Sequence, residues 1–464
     1  MIWKLSSRGN AWGMAMNSDD MKEQRTSRTA GEAGWHVSRY NLSAPIPGSK
    51  NTAVANLFKG TCAEYSPLEM YLLSVVEDLD ENHPIIQRFA KRGLICNYDE
   101  LAALETMGRG ACAAPRGVGF VICPTMGCNF NCPYCFENHH GGKMTAEVQD
   151  DVMGLAERML DASGAKNMKV TWLGGEPLVA FDVVQSLSER FIALCEERGV
   201  EYSARIITNG YLLTQDIVDK LAELKVNNAQ VTIDGLGAAH DATRHLVNGG
   251  PTFEHIAANL RNLKIPFSVS VRHNVHAHNK KDMDDVSAFV KELAEESGNT
   301  LIYWPAIVIG SEAADGRGDH VDLLCSTDAS EVGIRVEARR FQAGHGHHCG
   351  AQNLWGAGID EKGNLQMCWE AVDKPQYSFG TAHDWDPANP IETASAPDNL
   401  TMYLNTALPV RDDECRACKW LPLCAGGCPH RRLFYGRDCV AFKDDPEGYV
   451  LALHARMNEE KRGA

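Results

Sequence analysis

Between residues 117 and 310, short apolar runs alternate with stretches whose apolar residues recur at helical spacing. The runs 118–122, 170–173, 204–207, 230–233, 267–272 and 301–309 read as buried strands. In the intervals, Val148, Val152, Leu155 and Met159 share one helical face. So do Leu187, Phe191 and Leu194, then Ile217, Leu221 and Leu224, then Val286, Phe289, Val290 and Leu293. Thr145 and Thr214 are placed to cap helix N-termini, and Gly199 to stop a helix. Strand and helix in alternation predict parallel βα units and an α/β fold class.

The pattern before this region is different. Residues 1–34 are polar and aperiodic, which predicts a mobile tail. Strand-like runs at 37–42 and 54–57 flank a turn containing Pro45, Pro47 and Gly48. Ser66-Pro67-Leu68-Glu69 forms a capping box with proline at the first helical position and opens a helix over 68–76. A second helix, 84–91, stops at Gly93, and Asp99 caps a third. A hairpin followed by three helices predicts a small core of winged-helix character.

Directly after the run 118–122 comes Cys128-Asn-Phe-Asn-Cys132-Pro-Tyr134-Cys135, a C-x-x-x-C-x-x-C loop. Three closely spaced thiolates suit one [4Fe–4S] cluster whose fourth iron lacks a protein ligand. Such an iron can chelate the amino and carboxylate groups of a small molecule and pass it an electron. Three cysteines are also most of a zinc site, but zinc calls for a fourth protein ligand.

The loop, with aromatic Tyr134 before its last cysteine, resembles the signature of the radical S-adenosylmethionine (SAM) superfamily. The resemblance implies that the open iron binds SAM, and that one-electron reduction yields methionine and a 5′-deoxyadenosyl radical that takes hydrogen from substrate. It also implies a partial (β/α)6, TIM-like barrel over 116–325, with active-site residues at the carboxyl ends of its strands. Gly174-Gly175-Glu176-Pro177 ends the second strand. A glycine pair lets backbone approach a ligand closely, and in the family this motif contacts the SAM amino group. Thr208, Asn209, Thr232 and Asp234 end the next two strands, where short polar groups can meet ribose or carboxylate; Asn-Gly and Asp-Gly are equally ordinary turn dipeptides. The stretch from Asp234 through His240 and Asp241 to Arg244 resembles a segment of peptide- and sulfatase-modifying radical enzymes. Arg272, near the end of the fifth strand, is placed to pair with a carboxylate or to form an interdomain salt bridge.

A second set of cysteines closes the chain: Cys349, Gly363 and Cys368, then Cys415, Cys418, Cys424, Cys428 and Cys439. Seven thiolates exceed one tetrahedral site, so two metal centres are expected; a zinc module is the rival reading. The spacing resembles the SPASM extension of radical SAM enzymes and covers 326–464. The resemblance implies two auxiliary [4Fe–4S] clusters, the first held by Cys349, Cys368 and Cys428 and the second by Cys415, Cys418, Cys424 and Cys439. The first is one ligand short, with Cys325, His345, His347, His348 or substrate as candidates. Cys62, Cys96, Cys112, Cys123 and Cys195 read as buried small hydrophobes.

A chain of 464 residues is too long for one ordinary core, and sixteen cysteines without an apolar N-terminal signal fit metal binding in a reducing cytoplasm. No window is apolar enough for a membrane span. The net charge of −16 argues against a nucleic-acid partner. The resemblance extends to enzymes that modify ribosomally made peptides, and implies a precursor peptide (leader plus core) and an electron donor such as flavodoxin or ferredoxin. The region 35–115 then holds the leader, or serves as a lid. Thioether or carbon–carbon crosslinking is the leading expectation. The alternative is an anaerobic sulfatase maturase, in which an acidic base is expected directly after the second SPASM cysteine. Here Trp369 stands in that place and Glu370 one further, which weakens that alternative because a base must reach its proton.

Overall fold

The computed structural model describes residues 34–115, 117–308, 326–340 and 349–463. All but Gly34 of the expected tail, and the four candidate ligands Cys325, His345, His347 and His348, lie outside the described residues.

Six parallel strands lie side by side in chain order: Val118–Ile122, Asn167–Trp172, Glu201–Thr208, Val226–Thr232, Ser268–Val275 and Leu301–Ile307. This is the expected α/β arrangement, with strand boundaries that move by a few residues. On one face, Phe120, Val170, Trp172 and Ile206 pack against Leu155, Met159, Leu187 and Phe191 from the helices. Thr145 and Thr214 cap their helices through hydrogen bonds to the N–H groups of Val148 and Ile217, and Gly199 ends its helix at φ +62°. There a Cβ would be strained.

The sheet does not stop at six strands. Gly356–Ile359 adds in parallel to Val118–Ile122, and Asn364–Gln366 and Gly380–Thr381 continue it antiparallel, giving nine strands. The cysteine-rich region therefore shares backbone hydrogen bonds with the barrel. It also covers the sheet's other face, where Val372 packs against Cys123, Met126 and Leu173.

Before the barrel, Asn41–Pro45, Thr52–Asn56 and Thr61–Tyr65 form an antiparallel sheet. The third of these strands escapes the periodicity reading. The capping box at Ser66 and Glu69 is present, opening the helix Pro67–Ser74. The sheet is packed on both faces: Val54 and Tyr65 form a small core with Leu73, Val76, Ile86 and Phe89 from the helices that follow, while Tyr40, Leu42, Ala55 and Leu57 are buried with Trp420, Phe442, Tyr449 and Leu453 from the other end of the chain. Among the described residues no helix is long and apolar enough to cross a membrane.

Candidate active site and metal centres

The cysteine loop leaves the carboxyl end of Val118–Ile122 and is clamped from two sides. The Gly175 N–H donates to Thr125 O at 3.2 Å and the Glu176 N–H to Gly127 O at 2.9 Å. From the other side, the Asn131 N–H donates to His245 O and the Val247 N–H to Asn129 O, each at 3.0 Å. Three thiols result on one short loop: Cys132 is buried and Cys128 and Cys135 are half-buried. The Phe130 N–H points at Cys128 Sγ (3.4 Å) and His139 Nε2 lies 3.3 Å from Cys135 Sγ. Burial pushes the Cys128 thiol up to about 12, so the thiolate needs a compensating cation. Grouped thiols with sulfur-directed donors suit an iron–sulfur cluster.

The glycine pair lies directly against the backbone of the cysteine loop. A Cβ on Gly174 would sit 2.3 Å from Thr125 O, and one on Gly175 would sit 2.4 Å from Gly127 O and 2.5 Å from Met126 O. The motif is therefore glycine-rich because the cysteine loop's own backbone lies against it. Gly175→Ala is expected to displace the loop at an overpacking cost of roughly 1–3 kcal/mol. Iron content and thermal unfolding check this; a variant with wild-type iron and stability would refute it.

Glu176 is buried, and its carboxylate joins the ends of the second and third strands. Oε1 accepts from Leu178 N at 3.0 Å and Thr208 Oγ1 at 2.8 Å, and Oε2 accepts from Asn209 N at 2.7 Å. Burial holds its carboxyl above the usual range, opposed by these three donors. The Asn209 amide donates to Asn129 Oδ1 at 2.7 Å, which ties the third strand to the cysteine loop. Pro177 starts the short turn that follows.

A second buried network surrounds Tyr134. Its hydroxyl donates to Asp234 Oδ2, while Arg244 Nη1 and Asn274 Nδ2 donate to the Tyr134 hydroxyl oxygen at 3.0 and 3.2 Å. Asp234 Oδ1 accepts from Asn274 N at 3.0 Å. Arg244 also lies over the Phe130 ring, 5.6 Å from its centroid. Buried Thr232 is the register partner of Arg272, whose Nε donates to Asn274 Oδ1 at 2.6 Å. The expected residues are thus gathered around the loop, while Asn129 and Asn274, which sequence reading passed over, connect them.

The later cysteines fall into two groups. Cys349, Cys368 and Cys428 influence one another electrostatically, and so do Cys415, Cys418, Cys424 and Cys439, which line an open hollow of about 380 Å³. Burial pushes the Cys424 thiol up to about 11. Between Cys368 and the barrel, Trp369 lies under the Arg205 guanidinium, 5.8 Å from its centroid. Half-buried Glu370 senses Lys374, Arg431, Asp438 and Arg272, and desolvation raises its carboxyl above the usual range. A further clasp joins the modules: His140 Nε2 lies 2.8 Å from Asp373 Oδ2 and 3.8 Å from Glu361 Oε1. Nothing in the local sequence of these three residues signals their meeting.

Residues 122–293 match the profile of the Radical SAM superfamily. An AdoMet-dependent heme synthase of Methanosarcina barkeri is 27% identical over 224 residues, 47% of this chain; the chain spans 57% of that relative's length. A cysteine-type anaerobic sulfatase-maturating enzyme of Clostridium perfringens is 21% identical over 357 residues, 69% of this chain and 89% of that one. Among solved structures, native anSMEcpe with bound AdoMet and Kp18Cys peptide superposes with a TM-score of 0.59 at 18% identity, over 75% of this chain and 99% of that one, a likeness of fold. The cysteine loop at the end of the first parallel strand and the GGEP backbone clamped on it both lie within the stretch 122–293 that matches the Radical SAM superfamily.

Proposed function

We propose that this chain is a radical SAM/SPASM enzyme that takes hydrogen from a residue of a ribosomal precursor peptide and joins it to another atom as a thioether or carbon–carbon crosslink. The observation that carries this reading is the grouping of ten cysteines into three sets, with the segment after Cys368 laid over the inner face of the sheet. Cys128, Cys132 and Cys135 would hold the SAM-binding [4Fe–4S] cluster. Cys349, Cys368 and Cys428, and Cys415, Cys418, Cys424 and Cys439, would hold two auxiliary clusters. When bound, the first cluster and SAM supply the hydrogen-abstracting radical.

The chain's own residues position and enclose that chemistry. Tyr134 and Asp234 stiffen the loop, Glu176 with Thr208 and Asn209 fixes the strand ends beside it, and Trp369 and Val372 keep water from the inner face. Gly174, Gly175, Glu176 and Pro177 are proposed SAM contacts together with Thr208, Asn209, Thr232, Asp234 and Arg272. A peptide substrate is supported by the shared fold with anSMEcpe, which holds a peptide beside AdoMet. It is also supported by the N-terminal module, winged-helix-like in character, at 35–115. That module pairs an edge strand, Thr61–Tyr65, with a helix exposing Leu68 and Tyr71, a surface suited to a leader adding as a strand. The barrel is assigned to 116–325 and the SPASM module to 326–464, in a cytoplasmic enzyme served by a flavodoxin- or ferredoxin-like donor. The maturase alternative keeps one supporting observation, the C. perfringens relative, but places Trp369 where its base is expected.

Anoxic Cys415→Ala and Cys424→Ala variants, coexpressed with the peptide encoded beside the gene, test the reading. Expected is near-complete loss of the crosslink, seen as loss of two hydrogens by mass, with 5′-deoxyadenosine formation largely kept. An aldehyde mass change on a sulfatase would instead establish the alternative.

A further inference from the structure

The hollow at Cys415, Cys418, Cys424 and Cys439 is lined by three cations, Arg432, Arg437 and Lys443, and by the acidic Glu414 and Asp438. Of these cations Arg432 is the most fixed. Its Nη1 donates to Cys415 Sγ and to Gly426 O, both at 3.4 Å, and its Nη2 donates to Asp412 Oδ2 at 3.0 Å. Asp412 in turn accepts from the N–H groups of Glu414 (3.0 Å) and Cys415 (3.1 Å), capping the short helix Asp413–Ala417, and from Arg437 Nε at 3.0 Å. One carboxylate therefore holds both the backbone of Cys415 and the guanidinium over its sulfur. The Arg432 side chain is only 16% exposed, so water screens its charge weakly. Lys443 Nζ, at 4.0 Å from Cys439 Sγ, is exposed and mobile by comparison.

A cationic donor on a cluster sulfur favours the more negative, reduced state and so raises the reduction potential. We propose that Arg432 is a positioning residue that raises the potential of the centre at Cys415, Cys418, Cys424 and Cys439. The inference rests on the two-auxiliary-centre reading given above. Arg432 touches neither substrate nor SAM in this account and acts through the sulfur.

The test is an anoxic redox titration of the iron-loaded enzyme followed by electron paramagnetic resonance, with Cys415→Ala identifying which signal belongs to this centre. Arg432→Gln is expected to shift the oxidised-to-reduced ratio of that signal about tenfold at fixed potential, which is 59 mV downward for one electron. The other signals should not move. Arg432→Lys keeps the charge but cannot bridge Asp412 and Cys415 as a planar fork, so it should shift the same signal in the same direction by less. Should Arg432→Gln lose iron, the lysine variant decides alone. A full iron and sulfide complement with an unmoved potential overturns the role of Arg432. Wild-type protein holding iron for a single cluster would instead sink the two-centre reading itself.

Discussion

Alanine in place of Cys128, Cys132 or Cys135, one at a time, is expected to reduce 5′-deoxyadenosine formation below detection and to remove one cluster's worth of iron. The reason is coordination. Three thiolates leave one iron open for SAM; two leave a cluster that is neither held nor correctly exposed. His139 and Glu137 stand within ligand distance of Cys135 on the same loop, but an imidazole or a carboxylate there does not restore the three-thiolate set. The assay is chromatography of reaction mixtures with strong reductant, beside iron and sulfide analysis. Because the loop is clamped by backbone hydrogen bonds to Gly175, Glu176, His245 and Val247, the variants should remain folded, and near-UV circular dichroism separates loss of metal from loss of fold. Deoxyadenosine produced at wild-type rate by any one of the three would reject the assignment.

What sequence reveals here follows the range of the interaction involved. The loop, the GGEP turn and the helix caps are local, written in residues within a few positions of each other. The strand at 170–173 was legible from its apolar end, but its start, Asn167, Met168 and Lys169, alternates polar with apolar because the odd positions face away from the helices. Gly356–Ile359 carries almost no side-chain signal; its pairing with Val118–Ile122 makes it a strand. Thr61–Tyr65 likewise becomes a strand through its neighbour Thr52–Asn56. The glycine pair was legible as a close approach, but not whose backbone would approach. Least visible are the contacts that fix Tyr134, whose partners Asp234, Arg244 and Asn274 lie 100, 110 and 140 residues away.

That network carries the largest expected stability effect. Asp234 is fully buried and Arg244 nearly so. Both Asp234 oxygens are used, one by Tyr134 and one by the Asn274 N–H. Asp234→Ala takes from the buried Arg244 guanidinium the carboxylate that it reaches through the Tyr134 hydroxyl, which should cost about 3–5 kcal/mol. Asp234→Asn keeps the shape and loses the charge, and should cost less, about 1–3 kcal/mol. Adding Arg244→Met to Asp234→Ala should restore part of the loss, because a buried pair removed whole is far less harmful than a pair half removed. Anoxic urea denaturation of the four proteins measures this cycle. If Asp234 acted only as a ligand contact, SAM affinity would fall while stability stayed within about 0.5 kcal/mol of wild type, the range of an ordinary surface change. If it holds Tyr134 and Arg244 as the geometry describes, stability, iron retention and SAM affinity fall together, and Arg244→Met recovers the first without the last.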